Sequence, residues 1–254
     1  MAQAARPYQD KAWLREHLTS ERREADLLSE VREAVFGAQD GVTSILAVVA
    51  TVAVATTNTY AVLIAGIAAA LAEIFSMGAG EYMSSKSQRE IFEAQIRSER
   101  EEVDERPGES EAEVAYMFEQ DGLSEPAARR VAAEIAREPA VLLKTMVEKE
   151  LGLAIEAGAG PLQGALILSG AFALAALVPL LPFFFLDVRS GLIVSIALCA
   201  VTMFGLGVVK ARWTGRNPIV SGLQIVLLVA GAAIAGFFFG SILPGLLGVA
   251  GIRA

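Results

Sequence analysis

Two carboxylates and a thioether recur at four-residue spacing inside an apolar run. The run is "LAEIFSMGAGEYM", residues 71–83, and the three groups are Glu73, Met77 and Glu81. On a helix, positions i, i+4 and i+8 drift only about 80° around the axis, so the three form one stripe. A carboxylate at bilayer depth costs on the order of a few kcal/mol, and such groups mark ion or proton pathways. The stripe is therefore expected to face protein or water. A further carboxylate, Asp40 in "FGAQDGVTS", stands at the start of the preceding apolar segment. It reads equally as a pathway group or as a helix cap at the water interface. Oxygen ligands suit Mg²⁺, Ca²⁺ and Mn²⁺, and a thioether shifts preference toward softer ions. A site built from Asp40, Glu73, Met77 and Glu81 suits Fe²⁺, with Mn²⁺ close behind. Met77 alone reads as packing, and its spacing with the two glutamates makes a ligand an equal reading. The same carboxylates bind protons when the metal leaves, which would couple metal flux to a pH gradient.

The elements that must hold these groups are apolar helices. The 254-residue chain is 54% hydrophobic with a mean hydropathy of +0.49. Uncharged or nearly uncharged runs cover 41–72, 157–186, 190–209 and 217–252, each near or above the roughly 18–20 residues that cross a bilayer. The first run feeds two spans, because "TTNTY" makes a polar turn within it. Five spans are predicted, near 32–57, 60–85, 162–186, 191–209 and 219–243. The fold class is thus all-α, a polytopic membrane protein with five transmembrane helices and a helical insert. Four segments follow: an amphipathic N-terminal segment 1–31, the first two spans in 32–85, an acidic insert 86–156, and the last three spans in 157–254. No short apolar core with a cleavage site marks a removable leader. The second span has no breaker at its end, so its helix should run on to about Glu105, where "RPGES" stops it. Ser110 is a candidate cap for the next helix and Ser124, followed by Pro126, for the one after. Pro179 and Pro182 should kink the third span.

Charge is concentrated in the insert. Residues 86–156 hold 10 Lys and Arg against 18 Asp and Glu, and the rest of the chain balances to zero. Such an insert argues against nucleic acid and suits cations. Within it, Glu99 and Glu102, Glu109 and Glu113, and Met146 and Glu150 are paired by helical spacing. Spacing alone favours a solvated helix with ion pairs such as Glu93–Arg97 and Arg97–Glu101. One cysteine, Cys199, and one histidine, His17, exclude a disulfide framework, histidine-based zinc or di-iron sites and an intramembrane Ser-His-Asp triad. Basic residues alternate between loops so that five spans put the N-terminus, the insert and "KARWTGRNP" on one side, which the positive-inside rule makes cytoplasmic. Gly236 and Gly240 form a GxxxG pair suited to close helix packing or dimerisation.

The motifs "REAVFGAQDGVTS", "GIAAALAEIFSMGAGEYMSSKSQRE", "EVAYMFEQDGLS", "EKELGL" and "VPLLPFFF", in this order, resemble the vacuolar iron transporter family over roughly residues 30–245. The resemblance implies five transmembrane helices per protomer, a homodimer in membrane lipid, and a cytoplasmic metal-binding domain between helices two and three. It implies export of Fe²⁺ from the cytosol in exchange for protons, with Mn²⁺, Zn²⁺ and Co²⁺ as further candidate substrates and no prosthetic group. The membrane would be the plasma membrane of a bacterium or the vacuolar membrane of a eukaryote. Asp40 and Met77 match pathway residues. Glu99, Glu102, Glu113, Met146 and Glu150 match ligands of the insert. The chain departs from the pattern in three places. The second-span glutamate of the family falls at Ala69, one turn before Glu73. The second methionine of a Met-Met pair is Val147. One insert glutamate falls among Glu109, Ser110 and Glu111. The alternative is a membrane-anchored protein that buffers or senses metal without transporting it.

Overall fold

From Lys11 to Phe36 the sequence holds neither glycine nor proline, and the first helix uses all of it. The computed structural model describes residues 10–152 and 160–246. Helix α1 is Lys11–Ala55, started by the Asp10 carboxylate, which accepts from the Ala12 N–H at 2.8 Å. The expected boundary at 31/32 is therefore not a break: the amphipathic segment and the first span are one helix, because a change of charge pattern does not end a helix without a breaker. Residues 1–9 and the expected insert boundary at 156/157 lie outside the described residues.

Asn58 in the "TTNTY" turn caps α2, its Oδ1 accepting from the Tyr60 N–H at 2.9 Å. Helix α2, Thr59–Glu105, runs unbroken through the second span and its polar continuation, as the absence of a breaker predicts. Three shorter helices follow, α3 (Pro107–Gln120), α4 (Glu125–Ile135) and α5 (Pro139–Lys149). Each begins on a proline at its first or second position, where the missing N–H is not needed. In α3 this corrects an expectation. Pro107 opens the helix, so Ser110 lies inside it, fully buried, rather than capping it. Gly122, at φ +102°, turns the chain after α3.

The remaining spans are α6 (Pro161–Leu180), α7 (Val188–Thr214) and α8 (Pro218–Leu246). Pro179 stays within α6, and the chain tightens into a 3-10 turn, Leu181–Phe184, around Pro182. The Pro179 carbonyl accepts from the buried Ser195 hydroxyl of α7 at 2.8 Å, which meets the need of backbone polar groups in an apolar interior. "KARWT" is helical rather than loop. The turn is only 215–217, begun by Gly215 at φ +63°. Among the described residues, five helices, in α1, α2, α6, α7 and α8, are long and apolar enough to cross a membrane.

The chain divides into two compact units, residues 1–82 with 161–254, and residues 83–160. In the first, α1 packs against α6, α7 and α8. The core holds Val42, Ile45 and Val49 of α1 against Phe172, Ala176 and Leu180 of α6. Contact is backbone-close at glycines. A Cβ on Gly37 or Gly41 would stand 2.3 Å or 2.5 Å from the Leu168 or Phe172 carbonyl oxygen. On Gly236 or Gly240 it would stand 2.7 Å or 2.4 Å from the Ala47 or Thr51 carbonyl oxygen. The GxxxG pair of α8 thus packs within the chain, onto α1. In the second unit, Val103, Val114, Ala132, Leu142 and Met146 form a small core of their own.

Gly240→Leu should lower the thermal midpoint of the detergent-solubilised protein, a loss of about 1–3 kcal/mol from overpacking. Gly170→Ala, where an added Cβ meets nothing within 4 Å, should leave it unchanged or slightly raised. Equal midpoints for the leucine variant and the parent would show that α1 and α8 do not meet at Gly240.

Candidate metal-binding and transport site

In the membrane unit, the close approach of α1 to α6 at Gly37 and Gly41 brings Asp40 to a half-buried position on α1. Asp40 caps no helix end, since it lies thirty residues into α1, so the cap reading is set aside. The Glu73 carboxylate of α2 is near enough to act electrostatically on Asp40. The α2 stripe is split by burial. Met77 and Glu81 are half-buried, Met77 against the core, while Glu73 is exposed on this single chain. Glu81 lies beside the start of α6, its Oε1 3.7 Å from where a Gly164 Cβ would stand. Ala69, where the resemblance puts the family's second-span glutamate, is half-buried against the core one turn before Glu73.

In the insert, five carboxylates gather from α2, α3 and the residue after α5. Glu99 and Glu102 come from the polar end of α2, Glu109 and Glu113 from the start of α3, and Glu150 follows α5. Burial, then the charges of Glu150 and Glu102, raise Glu99 above the ordinary carboxylate range. Burial pushes Glu113 up to about 7, helped by the adjoining Glu102 carboxylate and then by Glu150 and Glu109. The Oε2 atoms of both Glu99 and Glu113 are buried without a hydrogen-bond partner. Two carboxylates in contact are stable only with a shared proton or a cation between them. Glu109, Glu113 and Glu150 open onto a pocket of 440 Å³ that Tyr116 and Met117 also line.

Other sequence expectations sort as follows. Arg106 bridges two of the carboxylates, 2.7 Å from Glu109 and 3.3 Å from Glu102. Met146 is fully buried beside Val103, Val114 and Leu142, so its thioether is part of the small core, and Val147 is buried with it. Glu111 faces a different groove, shared with Glu119 and Glu125. The solvated helix pairs form, but with other partners: Glu93 pairs with Arg89 at 3.2 Å, not with Arg97. Among the described residues, no three acidic, histidine or cysteine side chains already stand as a closed metal cage. The cluster is a set of neighbours, brought together by charge and burial rather than arranged around one point. Sequence reasoning missed one group. The Ser110 hydroxyl, one turn before Glu113, is fully buried and has no partner. Its place among the three residues where a family glutamate falls was the signal available.

Residues 31–241 match the VIT family. The chain is 34% identical over 210 residues to the vacuolar iron transporter of Centaurea cyanus, covering 82% of this chain and 85% of the relative. It is 31% identical over 208 residues to vacuolar iron transporter 1 of Tulipa gesneriana, covering 82% and 84%. With the vacuolar iron transporter of Plasmodium falciparum it shares 30% over 224 residues, covering 84% and 82%. Similarity of this extent spans the five membrane helices and the acidic insert alike, and the chain belongs to the VIT family.

Proposed function

We propose that the protein moves Fe²⁺ out of the cytosol in exchange for protons, with Mn²⁺, Zn²⁺ or Co²⁺ as possible further substrates, and that the insert captures the metal. The observation that carries this reading is the insert's cluster: five neighbouring carboxylates, two with buried oxygens that lack any partner. A divalent cation is the ligand that would relieve both the repulsion and the missing contacts. Glu99, Glu102, Glu113 and Glu150 supply oxygens. Glu109 competes for Arg106 and joins when that ion pair opens. Met146 offers a soft sulfur after a shift from the core, and the Ser110 hydroxyl a neutral oxygen. Binding displaces the proton that Glu113 holds near neutral pH, so capture and proton release are linked.

Within the membrane, Asp40, Glu73, Met77 and Glu81 form the proposed path. Carboxylates replace part of the ion's water shell and take up protons once it has left. The thioether of Met77 favours Fe²⁺ over Mg²⁺ or Ca²⁺. Glu73, exposed on one chain at bilayer depth, calls for protein or water beside it. The apolar residues exposed on the same helix, Ile64, Leu71 and Phe75 among them, would adjoin lipid and a second copy of the chain. A homodimer that covers Glu73 meets both demands. The positive-inside rule places the N-terminus and the insert in the cytoplasm, in a bacterial plasma membrane or a eukaryotic vacuolar membrane.

A metal buffer or sensor is the second reading, favoured by the fact that the insert's carboxylates lie in a compact unit with a core of its own. Flux separates the two. In proteoliposomes, Fe²⁺ uptake accompanied by a proton flux in the opposite direction is the expected result. Metal binding by an intact preparation with no uptake would establish the buffer. Glu73→Ala and Asp40→Asn should each cut flux at least tenfold while leaving the folded dimer and metal capture by the insert unchanged. Wild-type flux in either variant removes that residue from the path.

The pH dependence of capture has a defined sign. Glu113 is protonated below about 7, so metal must displace a proton there and affinity weakens as pH falls. Titration of the metal-free protein with Mn²⁺ should show about a tenfold loss of affinity per pH unit below 7, the limit for one displaced proton. Glu113→Gln should bind more weakly and lose most of this slope between pH 6 and 8. A slope unchanged in that variant would assign the proton to another group.

A further inference from the structure

A groove of 360 Å³ runs between α1 and the last turn of α7. Leu28, Val35 and Phe36 of α1 and Trp213 of α7 give it an apolar floor, and Arg32 and Lys210 give it two cations. No carboxylate is among the residues that line it. Glu33 takes one edge of Arg32 at 2.7 Å, yet the Arg32 side chain stays 78% exposed. Phe36 and Trp213 are also exposed, at 56% and 53%.

The groove's level in the molecule follows from the helices that form it. The apolar span of α1 begins at Glu30, and that of α7 ends at Thr214. Both ends lie at this groove, so it stands where hydrocarbon gives way to headgroups. Indole rings favour that level. Long basic side chains there keep their charge in the polar layer and their stems along the apolar wall. A groove that is apolar along one length and cationic at the same depth matches one kind of molecule. Basic pockets between membrane helices hold anionic lipid headgroups.

We propose that this groove is a binding site for an anionic phospholipid. Its phosphate and acidic headgroup lie against Lys210 and Arg32, and an acyl chain lies along Val35, Phe36 and Trp213. A zwitterionic lipid has the same chain and phosphate but carries a compensating cation, which the two basic groups would repel. The site is independent of the metal path and of the transport reading, since none of its residues belongs to either.

Trp213 reports on its own site once Trp13→Phe leaves it as the single tryptophan. That protein is placed in phosphatidylcholine nanodiscs, and lipid brominated on its acyl chains is introduced at rising mole fraction. Bromine quenches indole fluorescence only at contact. Brominated phosphatidylglycerol should half-quench Trp213 at a mole fraction about fivefold lower than brominated phosphatidylcholine, the preference expected from about one effective cation. Arg32→Gln with Lys210→Gln should bring the two curves together. Coincident curves in the parent, a comparison that needs no charge variant, would overturn the proposal. So would a preference that survives the double substitution in a protein with unchanged helical content.

Discussion

Where α1 crosses α6 and α8, carbonyl oxygens stand in the space that side chains would otherwise fill. Helices in lipid gain nothing from hiding apolar surface from one another, so they associate through contact and close approach. Gly37 and Gly41 meet the Leu168 and Phe172 carbonyls, and Gly236 and Gly240 meet those of Ala47 and Thr51. Each pair is one turn apart on its helix, so each contact extends along a face. This spacing fixes α1 between two neighbours and sets the rotation of its remaining faces. Asp40, flanked by these glycines, cannot turn to lipid without separating α1 from α6. The same close crossing leaves the Val42, Ile45 and Val49 face to fill the core.

The insert is organised by an opposite constraint. Its core is small, Val103, Val114, Ala132, Leu142 and Met146 with a few half-buried residues around them, while its rim holds like charges in contact. Burial alone would favour neutral carboxyls, and Glu113 moves in that direction, to about 7. A group poised there holds a proton at half occupancy near neutral pH and gives it up cheaply to a stronger cation. Arg106 shows the same logic with a built-in cation, since it spans Glu102 and Glu109. Its guanidinium is a point of competition: a metal that takes both carboxylates must release it to water.

Much of the architecture was legible in the chain because it rests on lengths and breakers. Five apolar stretches match bilayer thickness, and the run from Thr59 to Glu105 contains no proline and no glycine pair in its polar half, so α2 continues. The junction at 31/32 is a change from charged to apolar residues inside one helix, because the backbone responds only to what breaks it. Ser110 misled for a related reason. A serine before a helical stretch reads as a cap, but Pro107 fits the first turn without losing a hydrogen bond, and the helix starts there. Spacing along one helix also identified the stripe from Glu73 to Glu81. It gave no information about which side faces another helix, so the exposure of Glu73, its electrostatic reach to Asp40 and the packing of Gly236 and Gly240 onto α1 emerged only in three dimensions.

The insert's departures from the family pattern act together on the proposed capture step. Glu111 turns into a separate groove, so the place beside the cluster belongs to Glu109, held by Arg106, and to Ser110, buried one turn before Glu113. The Ser110 hydroxyl adds a neutral oxygen there without adding to the repulsion. Val147, where the resemblance puts a methionine, is buried and offers no soft ligand. In the proposed capture step, a hydroxyl and an aliphatic group would hold a transition metal less tightly than a carboxylate and a thioether would. A site that must pass its ion onward gains from this, because release is slowed by each ligand that binds tightly. A storage site would gain from the reverse. In that reading the departures favour delivery over retention, with Met146 and the four remaining cluster carboxylates supplying the affinity that competes with water for Fe²⁺.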